Sequence, residues 1–286
     1  MPEGAPRFRA SLDAMDTSPL EAWRDTLQEL GVMGLVREPR PEAEPAQAPP
    51  RRAAIPRPDQ APAPHPATRP APAAVAYTAP TDPIGCPPPE AVLGATSLQA
   101  LEAAIQGCLK CPLGPGRIRF VFGEGDPSAR LMFVGEGPGR DEDLQGRPFV
   151  GKAGELLDKM IGAIGLTRAE TYIANVVKCR PPDNRTPGPD EARACLGYLR
   201  RQIELIQPAV LVTLGATPLR ELLGVSEGIT RIRGQWRQLE LGGRRIPVMP
   251  TFHPAYVLRQ YTQDVRRAVW QDLKAAKDWI DKPEGA

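Results

Sequence analysis

About half of the 35 prolines lie between Pro39 and Pro89, and this bias decides where a core can form. The stretch PRPEAEPAQAPPRRAAIPRPDQAPAPHPATRPAPAA alternates proline with alanine and has no apolar periodicity. Too little apolar surface is available there to offset the entropy of ordering, so residues 37–95 read as a disordered, solvated Pro/Ala-rich linker. Folding is left to a short N-terminal segment, 1–36, and to residues 96–286. In the former, Leu20, Trp23, Leu27 and Leu30 recur at three- and four-residue steps behind Ser18, as on one face of a capped helix. Tethered by so long a link, that helix either docks back on the domain or presents its stripe to a protein partner.

From about Ser97 short apolar runs alternate with helical patterns. Residues 131–135 (LMFVG), 172–177 (YIANVV), 209–215 (AVLVTLG) and 245–250 (RIPVMP) read as strands, and 153–164, 190–206, 217–223 and 264–280 as helices. This order predicts a three-layer α/β/α fold around a central, mostly parallel four-stranded sheet. Ligands of such sheets bind beyond the carboxyl ends of the strands. Gly135–Asp143, Asn175 and His253 fall at those ends. The start carries no signal peptide and no apolar run is long enough to cross a membrane, which points to a cytoplasmic protein without a membrane partner. A net charge of +2 says little about DNA binding, because position matters more than balance. Local arginine clusters stand at Arg231, Arg233, Arg237, Arg244 and Arg245, and at Arg259, Arg266 and Arg267.

Two cysteine pairs, Cys108/Cys111 and Cys179/Cys195, bracket the informative loops. In a reducing compartment such thiols bind metal or catalyse rather than form disulfides. Zinc sites usually repeat a tight Cys-x-x-Cys twice, whereas Cys179 and Cys195 lie far apart and Pro112 follows Cys111, a pattern that favours iron–sulfur. Cys86, inside the proline-rich stretch, reads as a spare thiol. The GEGPG turn after the first strand fits neither the dinucleotide fingerprint nor the Walker loop. Glu136, Asp141, Glu142 and Asp143 beside it are either site carboxylates or acids at a helix start.

The blocks CLKCPLG (108–114), GEGPGRDEDLQGRPFVGKAGELLDKMI (135–161), YIANVVKCRPPDNRTPGPDEARAC (172–195), LVTLGATPLRELLG (211–224) and TFHPAYVLR (251–259) together resemble the type-4 uracil-DNA glycosylases. That resemblance implies a monomeric enzyme of base excision repair that flips uracil out of single- or double-stranded DNA and hydrolyses its N-glycosidic bond. It implies a [4Fe–4S] cluster held by Cys108, Cys111, Cys179 and Cys195, with a structural role. Phe149 would stack on the base, and the Asn175 amide would pair with uracil O4 and N3–H while mismatching cytosine. Gly135, Glu136 and Gly137 would contact the base through their backbone. His253 would stabilise the charge that develops on uracil O2; a histidine that caps the following helix is the structural alternative. Other uracil glycosylases carry an aspartate at the position of Gly137, so Glu136 is the candidate for orienting water, and Glu142 for excluding the methyl group of thymine. Tyr256, Val257, Leu258 and Arg259 would form a loop wedged into the minor groove, with the clustered arginines on phosphates.

One relative forms a covalent bond to the sugar through a histidine in an inserted loop after the second strand. The corresponding loop here, CRPPDNRTPGPDEARAC, has no histidine, which favours hydrolytic turnover. The competing class is a noncatalytic iron–sulfur or zinc DNA-binding module, which would leave uracil-containing DNA intact.

Overall fold

The computed structural model describes residues 89–282. The helix expected within 19–36, most of the linker and Cys86 lie outside them. Six strands form one sheet: β1 (Glu124–Gly125), β2 (Leu131–Gly135), β3 (Tyr172–Asn175), β4 (Val210–Leu214), β5 (Arg237–Leu241) and β6 (Arg244–Thr251), in the order β1-β3-β2-β4-β6-β5. The four expected strands are its parallel centre, and β1 and β5 add antiparallel edges. The two additions have a common cause. β1 is only two residues long, and β5 buries Leu239 alone, so neither shows the continuous apolar run of a strand covered on both faces. Arg237, Arg244 and Arg245 belong to this β5–β6 hairpin, which turns through Gly242 and Gly243 at φ 57° and 74°.

The helices are α1 (Pro89–Leu93), α2 (Leu98–Ile105), α3 (Arg140–Gln145), α4 (Lys152–Ala163), α5 (Pro189–Ile206), α6 (Ala216–Leu223), α7 (Ile229–Ile232), α8 (Pro254–Arg259) and α9 (Gln263–Asp281). Strand side chains alternate between two cores, which makes the three layers. Met132, Val134 and Leu211 face α2, α5 and α6, whereas Leu131, Phe133 and Val212 face α4 and α9. Phe133, Leu156, Leu157 and Met160 are fully buried, each stabilising the second core by roughly 1.5–3 kcal/mol. The folded part starts before residue 96: Val92 of α1 and Ala95 are buried in the first core, and Arg201 donates to the Ala95 carbonyl at 2.7 Å. Among the described residues no helix is long and apolar enough to cross a membrane.

Candidate active site

The carboxyl ends of β2, β3, β4 and β6 open into a cleft of about 740 Å³. Gly135 ends β2 directly opposite Asn175, which ends β3. Only glycine fits there: a Cβ would stand 2.4 Å from Asn175 Oδ1 and 2.5 Å from Phe149 Cζ. The missing side chain lets an amide and an aromatic ring meet at one strand end.

Asn175 is 2% exposed, and its Oδ1 is a buried acceptor without a hydrogen-bond partner. Its backbone is braced by Lys178, a fully buried lysine whose Nζ donates to the Asn175 carbonyl at 2.9 Å and to Gln202 Oε1 at 2.6 Å. Burial lowers the Lys178 pKa to about 8. Phe149 is buried in the second core yet lines the cleft, its ring 5.6 Å from that of His253 and tilted by 33°. Its φ of 51° is left-handed, a conformation that costs a residue with a Cβ roughly 1–2 kcal/mol.

His253 is the N-cap of α8, its Nδ1 accepting the Ala255 N–H at 3.1 Å. Burial, with Arg259 nearby, pushes its pKa down to about 4. The imidazole is therefore neutral at pH 7, and because Nδ1 is an acceptor the proton sits on Nε2. Capping and donation to a ligand are not alternatives, since each uses a different nitrogen.

The carboxylates divide by partner. Glu136 lines the cleft and accepts the Thr217 hydroxyl at 2.5 Å. Asp141, Glu142 and Asp143 form the first turn of α3, and Asp143 accepts the Ile118 and Arg119 amides at 2.9 and 3.3 Å. Glu142 reaches the cleft wall, but its Oε2 accepts the Gly139 N–H at 3.0 Å and its Oε1 those of Val150 and Gly151 at 3.0 and 3.1 Å. These bonds tie the glycine turn to the backbone that follows Phe149 and fix the carboxylate in the cleft wall.

The four thiols belong to the first core, Cys108, Cys179 and Cys195 buried in it and Cys111 packed against it. Burial chiefly pushes Cys111, Cys179 and Cys195 up, the latter two to about 11 and about 12. Cys111 also feels Cys108, Cys179 feels Cys108 and Cys111, and Cys195 feels Cys111 and Cys179, so all four share one neighbourhood. Two of the sulfurs have hydrogen-bonding neighbours: the Lys110 N–H donates to Cys108 Sγ at 3.4 Å, the Tyr198 hydroxyl and Cys108 Sγ share a hydrogen bond at 3.1 Å, and Arg117 Nη1 donates to Cys179 Sγ at 3.6 Å. Among the described residues no three His, Cys, Asp or Glu side chains converge as they would on a single ion. Cys108, Cys179 and Cys195 are buried and Cys111 half-buried, and thiols of this kind are able to serve as ligands of a metal centre.

Residues 122–274 match the sequence profile of the uracil DNA glycosylase superfamily. Type-4 uracil-DNA glycosylases of Thermotoga maritima, Archaeoglobus fulgidus and Sulfurisphaera tokodaii are 47%, 42% and 43% identical over 189, 192 and 196 residues. These alignments cover 65%, 66% and 66% of this chain and 95%, 96% and 87% of theirs. The chain belongs to the type-4 uracil-DNA glycosylases.

In this type-4 glycosylase the expected DNA wedge is a helix, α8, rather than a loop. Tyr256 and Arg259 line the cleft, whereas Val257 is 0% exposed and packs in the second core, with Leu258 partly buried against it. A full helical turn faces every third or fourth side chain inward, so Val257 cannot enter a groove. Arg233 is likewise no phosphate contact. It donates to both Asp272 oxygens and at 2.7 Å to the Ala268 carbonyl, while Asp272 accepts the Thr251 hydroxyl at 2.7 Å, bracing the end of β6 just before His253. Thr217, Lys178 and Arg168, which act on Glu136, Asn175 and Phe149, were not recognisable from the sequence as site residues. Lys178 alone left a signal, a lysine beside the buried Val176–Val177 and directly before Cys179.

Proposed function

We infer that this protein excises uracil from DNA by hydrolysing the bond between uracil N1 and the deoxyribose, the step that starts base excision repair. The observation that carries this is the orphaned Asn175 Oδ1. Leaving a buried acceptor unpaired costs about 1–3 kcal/mol. A flipped uracil supplies the N3–H donor that satisfies it, and the amide Nδ2 then donates to O4. Cytosine offers the opposite pattern and leaves the amide mismatched.

With the base seated against the Phe149 ring, His253 Nε2–H donates to uracil O2. As the N1–C1′ bond breaks, its electron pair stays on the base, and this fixed donor stabilises the charge that spreads to O2. A neutral imidazole keeps its proton through the step, so it acts as an electrostatic donor rather than a general acid. Glu136, steadied by Thr217, is read as the group that orients water toward C1′. The water oxygen bonds to C1′, and its proton ends on uracil. Arg259, an exposed cation at the cleft, and Tyr256 face the DNA strand.

Cys108, Cys111, Cys179 and Cys195 would hold a [4Fe–4S] cluster, which supplies structural anchoring when bound. Arg117 and the buried Lys178 offset the thiolate charge, and Lys178 links that region to the Asn175 carbonyl. The protein is read as a monomer of the cytoplasm, where thiols stay reduced.

Incubation of the holoprotein with a labelled uracil-containing oligonucleotide, followed by alkali, should cleave the strand at the uracil position. Intact strand from a protein with a fully loaded cluster would leave only a noncatalytic iron–sulfur DNA-binding module.

A further inference from the structure

We propose that Arg168 is a positioning residue for base recognition: its guanidinium holds the Pro148 and Phe149 carbonyls and thereby sets the height and tilt of the Phe149 ring in the cleft. This rests on the reading that Phe149 stacks on the flipped base.

Phe149 needs such support. Non-glycine residues with positive φ among the described residues are Phe149, Asp183, Asn184 and Gln207, and an aromatic side chain cannot stabilise that backbone with a hydrogen bond of its own. A conformation of this kind persists only where its surroundings over-determine it. Here they do so from both directions. Upstream, Arg168 Nη2 donates to the Pro148 carbonyl and Nη1 to the Phe149 carbonyl at 3.2 Å. Downstream, Glu142 takes the Val150 and Gly151 amides. α4 closes the remaining side: a Cβ on Gly154 would lie 1.9 Å from the Phe149 carbonyl oxygen.

Arg168 is itself oriented. Its Nε donates to Glu124 Oε1 at 2.9 Å and its Nη1 to Asp158 Oδ1 at 2.9 Å, and the side chain is 17% exposed. Glu124 also receives Arg147 at 2.6 and 2.7 Å, and the two guanidinium groups hold its carboxyl down to about 2. The anchor is thus ionised throughout the physiological range. Only a planar fork reaches two carbonyls and two carboxylates together; a lysine would serve one or two of them. Residues Glu124, Arg147 and Asp158, remote from the strand ends, thereby bear on where the ring sits.

The test compares wild type, Arg168→Met, Arg168→Lys, Phe149→Ala and the Phe149→Ala/Arg168→Met double variant. Single-turnover uracil excision, DNA affinity and melting temperature are measured for each. Arg168→Met should slow excision by roughly tenfold to a hundredfold, the effect of a recognition group displaced by about 1 Å. DNA affinity should hold, because the strand contacts lie on α8. Lysine should restore part of the rate, and in the Phe149→Ala background the arginine substitution should add no further loss. Equal losses in both backgrounds, or a lower melting temperature with an unchanged rate, would overturn the proposal. Should the methionine variant not fold, lysine gives the same comparison. Undiminished excision by Phe149→Ala would instead sink the stacking role of Phe149 on which the proposal depends.

Discussion

Gly135→Ala adds one methyl group at the point where the Asn175 amide and the Phe149 ring meet. Gly135 is not in the left-handed region, so alanine suffers no backbone strain and the whole effect comes from the new Cβ. That atom would lie 2.4 Å from Asn175 Oδ1, 2.5 Å from Phe149 Cζ and 2.6 Å from Phe149 Cε2. Carbon atoms pack at about 3.5–4.0 Å, so the neighbours must retreat by about 1 Å. Their backbones are held, Asn175 in sheet register with Gly135 and Phe149 from both sides, so relief has to come from turning the amide and the ring themselves. Overpacking of this kind costs about 1–3 kcal/mol of stability, and melting falls by about 2–4 °C per kcal/mol for a domain of this size. Displacement of both recognition groups by about 1 Å should reduce single-turnover excision about a hundredfold, equivalent to about 2.7 kcal/mol of barrier. Excision from a single-stranded uracil oligonucleotide, measured beside a thermal melt, separates the two effects. A folded variant that excises within about threefold of wild type, under 1 kcal/mol of barrier, would show that Asn175 and Phe149 do not need their close approach.

The depressed pKa of His253 makes a signed prediction. From pH 6.5 down to about 4 the unfolded chain protonates this histidine while the folded protein does not, so stability falls by about 1.4 kcal/mol per pH unit, about 3 kcal/mol in all, and is unaffected by this group above that window. Denaturant melts of wild type and His253→Gln should differ in that slope, and excision should persist through pH 6 and fade only toward pH 4; a midpoint near 6.5 would contradict the neutral imidazole. Arg259→Ala should weaken DNA binding with little change in base selectivity and reduce the salt slope of log K by about one, read by anisotropy titrations at several salt concentrations. Cys195→Ala removes one buried thiol of the set and should abolish the visible absorbance of a bound cluster and lower the melting temperature, checked by iron content and calorimetry.

The layers were legible because apolar patterning is local: β2, β3 and β4 are buried along their whole length and β6 is mostly buried from Ile246 on, so each carries a compact, mainly apolar run. β5 escaped notice because an edge strand shows only half of that signal. The resemblance made 256–259 a wedge loop, although a capping role for His253 already implied a helix there; six residues that begin with a proline carry too little periodicity to decide, and the same brevity hid that Val257 turns inward. Asn175, Phe149 and His253 were identifiable as site residues through their motif blocks. The fate of Glu142 was not, because a carboxylate at a helix start and one in a cleft look alike until the backbone amides of Val150 and Gly151 are placed around it.

Residue order alone determined that a two-sided parallel sheet would form after the proline-rich stretch, and that the glycine turn, the amide and the imidazole would stand at its strand ends. Tertiary structure decided what each of them is able to do. Glu136 meets Thr217 across 81 positions of chain, and Phe149 takes its backbone geometry from an arginine 19 residues on. His253 has its free proton placed by the first turn of a helix packed on the second core. Hydrogen bonds depend on where partner atoms finally lie, and strand or helix periodicity carries no record of that.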